Sequence, residues 1–195
     1  MRVLLVSIFL VACSHPLTVS ADPAVKAAAA PVVRDAEATA RDVLSALARK
    51  DWAALADLAG PQGIRFTPYS WIEPTKDVVL DRAALRAVGT DPTVRTWGGW
   101  DGSGDPITMT SKDYFARFVW NADFTKVPLV LAPKTPGSLT SNQDTVYPKA
   151  TIFAAYDPGG DPQYGGMDWA GLRVVLEQVG GEWRCVGILH EEWMI

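Results

Sequence analysis

Residues 172–190 read LRVVLEQVGGEWRCVGILH. Two apolar, β-branched runs flank Gly180-Gly181, and a two-residue loop with both positions at positive φ is the turn that matches strand twist. Pairing outward from Val179 and Glu182 sets Glu177 opposite Arg184, an attractive cross-strand pair. Strict alternation then puts Leu172, Val174, Leu176, Trp183, Cys185 and Leu189 on one face, the expected core. Arg173, Val175, Glu177, Arg184, Val186, Ile188 and His190 fall on the other. Half apolar and half charged, that second face suits a wet sheet surface or a subunit contact.

Upstream of the hairpin the period changes from two to 3.6. Val33, Ala36, Ala40, Val43, Leu44 and Leu47 form one helical stripe. Asp51 is placed to cap a second helix carrying Trp52, Leu55 and Leu58, which Gly60-Pro61 stops. Ile64 and Phe66 alternate with Arg65 and Thr67 as a short strand, and Val78–Leu80 is a second apolar piece. Asp81 caps a helix through Leu85 and Val88 that closes at Gly89. Residues 97–106 are a glycine-rich connection. Thr110 and Asp113 form a capping box for a helix that turns Tyr114, Phe115, Phe118 and Val119 inward. Residues 123–143 read as a long loop with a short strand near Leu129, and 145–156 as a strand. Helices followed by a run of antiparallel strands define an α+β domain over residues 32–195.

The amino terminus differs in kind. Met1-Arg2 supplies a basic start and residues 3–12 an apolar core too short to span a bilayer, the pattern of an export signal. Leu10-Val11-Ala12-Cys13 resembles the lipobox of bacterial lipoproteins. That resemblance implies a signal peptide over 1–12, lipid on Cys13 and a membrane anchor through it. Residues 13–31, rich in Ala, Pro and Ser, then read as a tether. Ser14 after the cysteine resembles the outer-membrane sorting pattern, which implies the periplasmic face of the outer membrane in the cell envelope. Net charge is −4, one unit more negative once Arg2 is removed, and Lys and Arg do not cluster; both argue against a nucleic-acid partner. Cys185, inside an apolar run, reads as a small buried hydrophobe, although a pairing with Cys13 is open on count alone.

Element order across about 33–192, and ALARKDWAALADLAGPQGIRF (46–66) in particular, resembles the nuclear-transport-factor-2-like cone shared by ketosteroid isomerases and SnoaL-like proteins. The resemblance implies N-terminal helices packed on a curved antiparallel sheet. The catalytic residues of ketosteroid isomerases find no matching motif here. GIRFTPYSWI (63–72), TWGGWDGSGDPITMTSKDYFARFVW (96–120), YDPGGDPQYGGMDWAGLRVVLE (156–177) and GEWRCVGILHEEWMI (181–195) look like a set of uncharacterised exported bacterial proteins, which carries no activity to transfer.

Several constellations are candidates for chemistry. Asp101, Ser103 and Asp105 alternate like the first half of a calcium loop. Pro106 and Lys112 then stand where such a loop needs glycine and glutamate, so a turn is the better reading. Asp157 to Asp168 is a second acidic glycine loop built of turn chemistry. Neither loop is assigned a metal, and no cofactor is implied. Of eight tryptophans, Trp52 and Trp183 have core spacing, while Trp71, Trp97, Trp100, Trp120, Trp169 and Trp193 lie at element ends or in loops. Trp97, Trp100, Tyr114 and Trp169 are the candidates for lining a ligand cleft. His190, followed by Glu191 and Glu192, is the candidate general base, with Asp101 or Asp168 as alternatives. GxSxG is absent. Two function classes follow. One is a module binding a small hydrophobic ligand, a peptide or an envelope protein, with a homodimer through the outer sheet face. The other is a cone-fold enzyme doing acid/base chemistry on a small hydrophobic substrate.

Overall fold

The computed structural model describes residues 35–132 and 141–193. The signal, Cys13, the tether and Val33 lie outside the described residues. Two helices come first, α1 (Ala36–Ala48), capped by Asp35, and α2 (Trp52–Leu58), capped by Asp51 as expected. Asp35 accepts from the Ala38 N–H at 2.7 Å and Asp51 from the Ala54 N–H at 3.0 Å. Strands β1 (Ile64–Thr67) and β2 (Val78–Leu80) form an antiparallel pair before α3 (Arg82–Arg86), which Asp81 caps. The glycine-rich connection is instead a second, two-stranded sheet, β3 (Val94–Gly99) with β4 (Pro106–Thr110), and only 100–105 is its turn. Thr110 then caps α4 (Ser111–Tyr114), which runs into a π-helical turn, Phe115–Val119.

The remaining strands are β5 (Leu129–Leu131), β6 (Thr151–Asp157), β7 (Ala170–Val179) and β8 (Glu182–Glu192). Part of the expected strand at 145–156 is helical, because α5 (Gln143–Val146) precedes β6. The main sheet is curved and mostly antiparallel, in the order β2-β1-β8-β7-β6-β5, with β1 and β8 its one parallel pair. Helix α1 crosses the inner face over β6, β7 and β8. Phe66, Leu172, Val174, Leu176, Phe153 and Cys185 fill the space between them. Cys185 is a free, buried thiol, and burial pushes its pKa up to about 12.

The hairpin turn and the Glu177–Arg184 pairing stand as read, but the alternation does not run through to the end. Leu176 pairs Cys185 whereas Val175 pairs Gly187, so Val186 is an extra residue and β8 is bulged there. A bulge inverts which face every later residue takes. Ile188 and His190 therefore join the core face, and Leu189 moves to the outer face with Val175.

That outer face is covered by the chain itself. Ile72, Val146, Tyr147 and Ala150 pack over Ile152, Val175 and Leu189. Asn142 clasps residue 72 twice, accepting from the Ile72 N–H and donating to its carbonyl, both at 2.9 Å. Arg173 donates to Glu191 at 2.7 Å and to Gln143 at 2.9 Å, a buried network that pins α5. The apolar patch on which the homodimer expectation rested is thus occupied by residues 72 and 141–150.

Candidate functional site

The expected cleft aromatics Trp97 and Tyr114 are both fully buried. Their rings stack 3.8 Å apart at an 11° interplanar angle, and Phe118 stacks on Tyr114 at 5.1 Å. Trp97 Nε1 donates to the Met109 carbonyl at 3.0 Å, which satisfies its one polar atom. Trp97 lies in β3 rather than in a loop, so it is core packing, and so is Tyr114. Trp100 stands at the edge of this stack, half-buried, 5.5 Å from Phe118.

His190 closes the same stack from the sheet side. It is 1% exposed, and Phe118 meets its ring edge-on at 5.6 Å. Among the described residues neither ring nitrogen meets full hydrogen-bond geometry, although Nε2 stands 3.3 Å from Glu192 Oε2, close enough to lower that carboxyl's pKa. Arg117 grips Glu192 with a two-pronged contact of 2.8 and 2.9 Å while its guanidinium lies 4.5 Å from the Phe118 ring centre. Burial raises the pKa of Glu192, but His190 and Arg117 outweigh it and hold the carboxyl at about 2. Such a carboxylate stays ionised at neutral pH and is a poor proton acceptor. The Tyr114 hydroxyl, without a partner among the described residues, is driven well above its ordinary value by burial.

Of the two aspartate candidates, Asp168 braces a turn with its carboxylate and Asp101 lies in one. Asp168 accepts from the Gly160 and Asp161 N–H groups at 2.8 and 2.9 Å, and those bonds lower its pKa. Asp101 is exposed in the β3–β4 turn, where its N–H donates to the Tyr69 hydroxyl at 3.1 Å. Trp169 packs on Tyr156 at 5.5 Å, in the loop that Asp168 holds. The structure thus gathers Trp97, Trp100, Tyr114, Asp101 and His190 around Phe118 and Tyr69. Asp168 and Trp169 lie with Glu192 around a separate open cleft of about 460 Å³. No group of three His, Cys, Asp or Glu among the described residues could hold a metal ion.

A further cleft lies where α1, the start of α2, the end of α3 and the π-helical turn meet. Leu47, Trp52, Phe115, Ala116 and Trp120 line it, with Lys50, Lys112 and Gly89 completing the wall. Its volume is about 390 Å³. Small-ligand clefts run roughly 300–1,000 Å³ and are mostly apolar with a few polar groups. Trp52 is set edge-on to Phe115 at 5.3 Å, an aromatic floor. Among the described residues, Lys50, Lys112 and Trp52 Nε1 make no ion pair or side-chain hydrogen bond.

Lys50 is held there by an unusual backbone. It is the one non-glycine residue at positive φ among those described, at 53°. Its N–H donates to the Leu47 carbonyl at 3.0 Å and the Asp51 N–H to the Ala46 carbonyl at 2.8 Å. That pair of bonds is a Schellman cap, whose left-handed position favours glycine. In sequence Trp52 has core spacing and Trp120 lies among loop-end rings, Lys112 stands out only as a mismatch to a calcium loop, and Lys50 and Arg117 carry no motif. The KD step between α1 and α2, with a lysine where glycine is favoured, was the available signal. No family model matches the chain, and no curated protein matches it in sequence.

Proposed function

We propose that the folded part of this chain is a binding module for a small apolar ligand, which it takes into the cleft between Trp52 and Trp120. The observation that carries the reading is an apolar cleft of ligand size walled by two tryptophans and by two lysines that have no ion-pair partner among the described residues. The acid/base candidates are worse placed for turnover: His190 is buried behind Phe118, and Glu192 is locked to Arg117. An uncharged apolar fluorescent probe, N-phenyl-1-naphthylamine, tests this. Ala116→Trp fills the cleft from an exposed wall position and should abolish saturable probe binding, whereas Val79→Trp on the exposed face of β2 should not. Equal binding by parent and Ala116→Trp overturns the cleft.

The fold we assign to the module is the nuclear-transport-factor-2-like cone. Helices leading into a curved sheet whose last strand pairs parallel with its first support the assignment. Export and lipid anchoring at Cys13, on the periplasmic face of the outer membrane, rest on Leu10-Val11-Ala12-Cys13 and Ser14. No described helix is long and apolar enough to cross a membrane. Cys13→Ser should move the protein from the membrane fraction to the soluble one; a variant that still sediments with membranes refutes the anchor.

Acid/base catalysis on a small hydrophobic substrate has one observation in its favour. His190 and Tyr114 bring three buried polar atoms without full hydrogen-bond geometry among the described residues to one aromatic interior, and native proteins leave few such atoms unpaired.

A further inference from the structure

We infer that the ligand of the Trp52–Trp120 cleft is an amphipathic anion: a single medium-length hydrocarbon chain ending in a carboxylate. The inference rests on the cleft reading above and adds the head group. The floor offers hydrocarbon contact only, from Leu47, Phe115, Ala116 and the two indole faces. Every polar side-chain group on the wall is a donor: the ammonium groups of Lys50 and Lys112 and the indole N–H groups of Trp52 and Trp120. No carboxylate lines the cleft. A carboxylate is the head group that can accept from all of these donors, whereas a cation would be repelled by the two exposed ammonium groups.

The positions of the donors support the same assignment. Lys50 lies just past the Arg49 cap of α1 and Lys112 in the first turn of α4, so two elements contribute one charge each. A Cβ built on Gly89 would come within 3.0 Å of Trp52 Nε1, so the glycine keeps that N–H open to the cleft. The volume of about 390 Å³ is near the lower end for ligand clefts, which fits one medium-length chain and not a two-chain lipid. Positive charge at the rim of a cleft with low-dielectric walls also raises the local concentration of an anion, an effect that salt weakens.

Calorimetric titration with octanoate and with 1-octanol separates head group from tail. The full-length chain carrying Cys13→Ser keeps lipid and detergent out of the assay. Octanoate should bind about tenfold tighter than octanol, of the order expected for one charge-assisted contact at a partly exposed site. The double variant Lys50→Gln/Lys112→Gln should lose that advantage while keeping octanol affinity and thermal stability, and raising salt should act on octanoate alone. Equal affinity for the two probes in the parent protein overturns the anionic head group and leaves the apolar cleft standing. Binding of neither overturns the cleft reading itself, and with it the head group.

Discussion

Replacing Lys50 by glycine should make the protein more stable and a worse binder. Lys50 sits at φ 53° in the Schellman cap that ends α1. A side chain in that left-handed region costs about 1–2 kcal/mol. Glycine removes the cost but gives back about 0.5–1 kcal/mol in unfolded-chain entropy. The net gain is about 0.5–1 kcal/mol, since both backbone hydrogen bonds of the cap are kept. For a domain of this size a gain of that order raises Tm by about 1–4 °C. Scanning calorimetry of parent and Lys50→Gly reads the shift, and octanoate titration of the same samples reads the binding. Higher Tm with weaker octanoate binding is the expected pair of results. An unchanged or lower Tm refutes the argument that Lys50 is retained in a strained position; unchanged binding refutes its place in the site.

Other perturbations test the fold that carries the cleft. Glu191→Ala leaves Arg173 buried without its carboxylate and should destabilise by about 3–5 kcal/mol in denaturant unfolding; a loss below about 1 kcal/mol contradicts the pinning of α5. Leu176→Ala, at a fully buried position opposite Cys185, should cost about 2–5 kcal/mol by the same assay. Burial raises the Asp77 carboxyl from 3.8 to about 7, outweighing the Glu73 N–H it accepts from. The unfolded chain releases that proton first, so Asp77 lowers stability progressively as pH rises from about 4 to about 7. Asp77→Asn should flatten that part of the stability–pH curve and gain most above pH 7, whereas parallel curves would show that the carboxyl titrates normally.

Local chemistry is legible in the sequence where one residue decides one feature. Asp51, Asp81 and Thr110 cap the helices they were assigned, and Gly180-Gly181 turns the hairpin. Failure began where a tertiary contact decides. Alternation carried Ile188 and His190 to the outer face because nothing local marks Val186 as a bulge; the parallel pairing of β1 with Gly187–Leu189 lies just beyond it. Gly98 and Gly99 give the stretch around Trp97 the look of a loop and mask the strand in which its ring stacks on Tyr114. The cleft was hidden for a related reason. Its wall joins Lys50, Gly89, Lys112 and Trp120, residues spread along the chain that only helix packing brings together. Arg117, alone in an apolar turn, became informative only with Glu192 beside it.

The most direct test of the central claim is where a ligand lands. Eight indole N–H signals should be resolvable by NMR in the 15N-labelled protein, one for each tryptophan. On titration with octanoate, the Trp52 and Trp120 indole signals should move together along one saturable curve while that of buried Trp97 stays fixed. Shifts confined to Trp169 and Trp193, around the acidic cleft of Asp157, Asp168 and Glu192, would contradict the cleft between the helices.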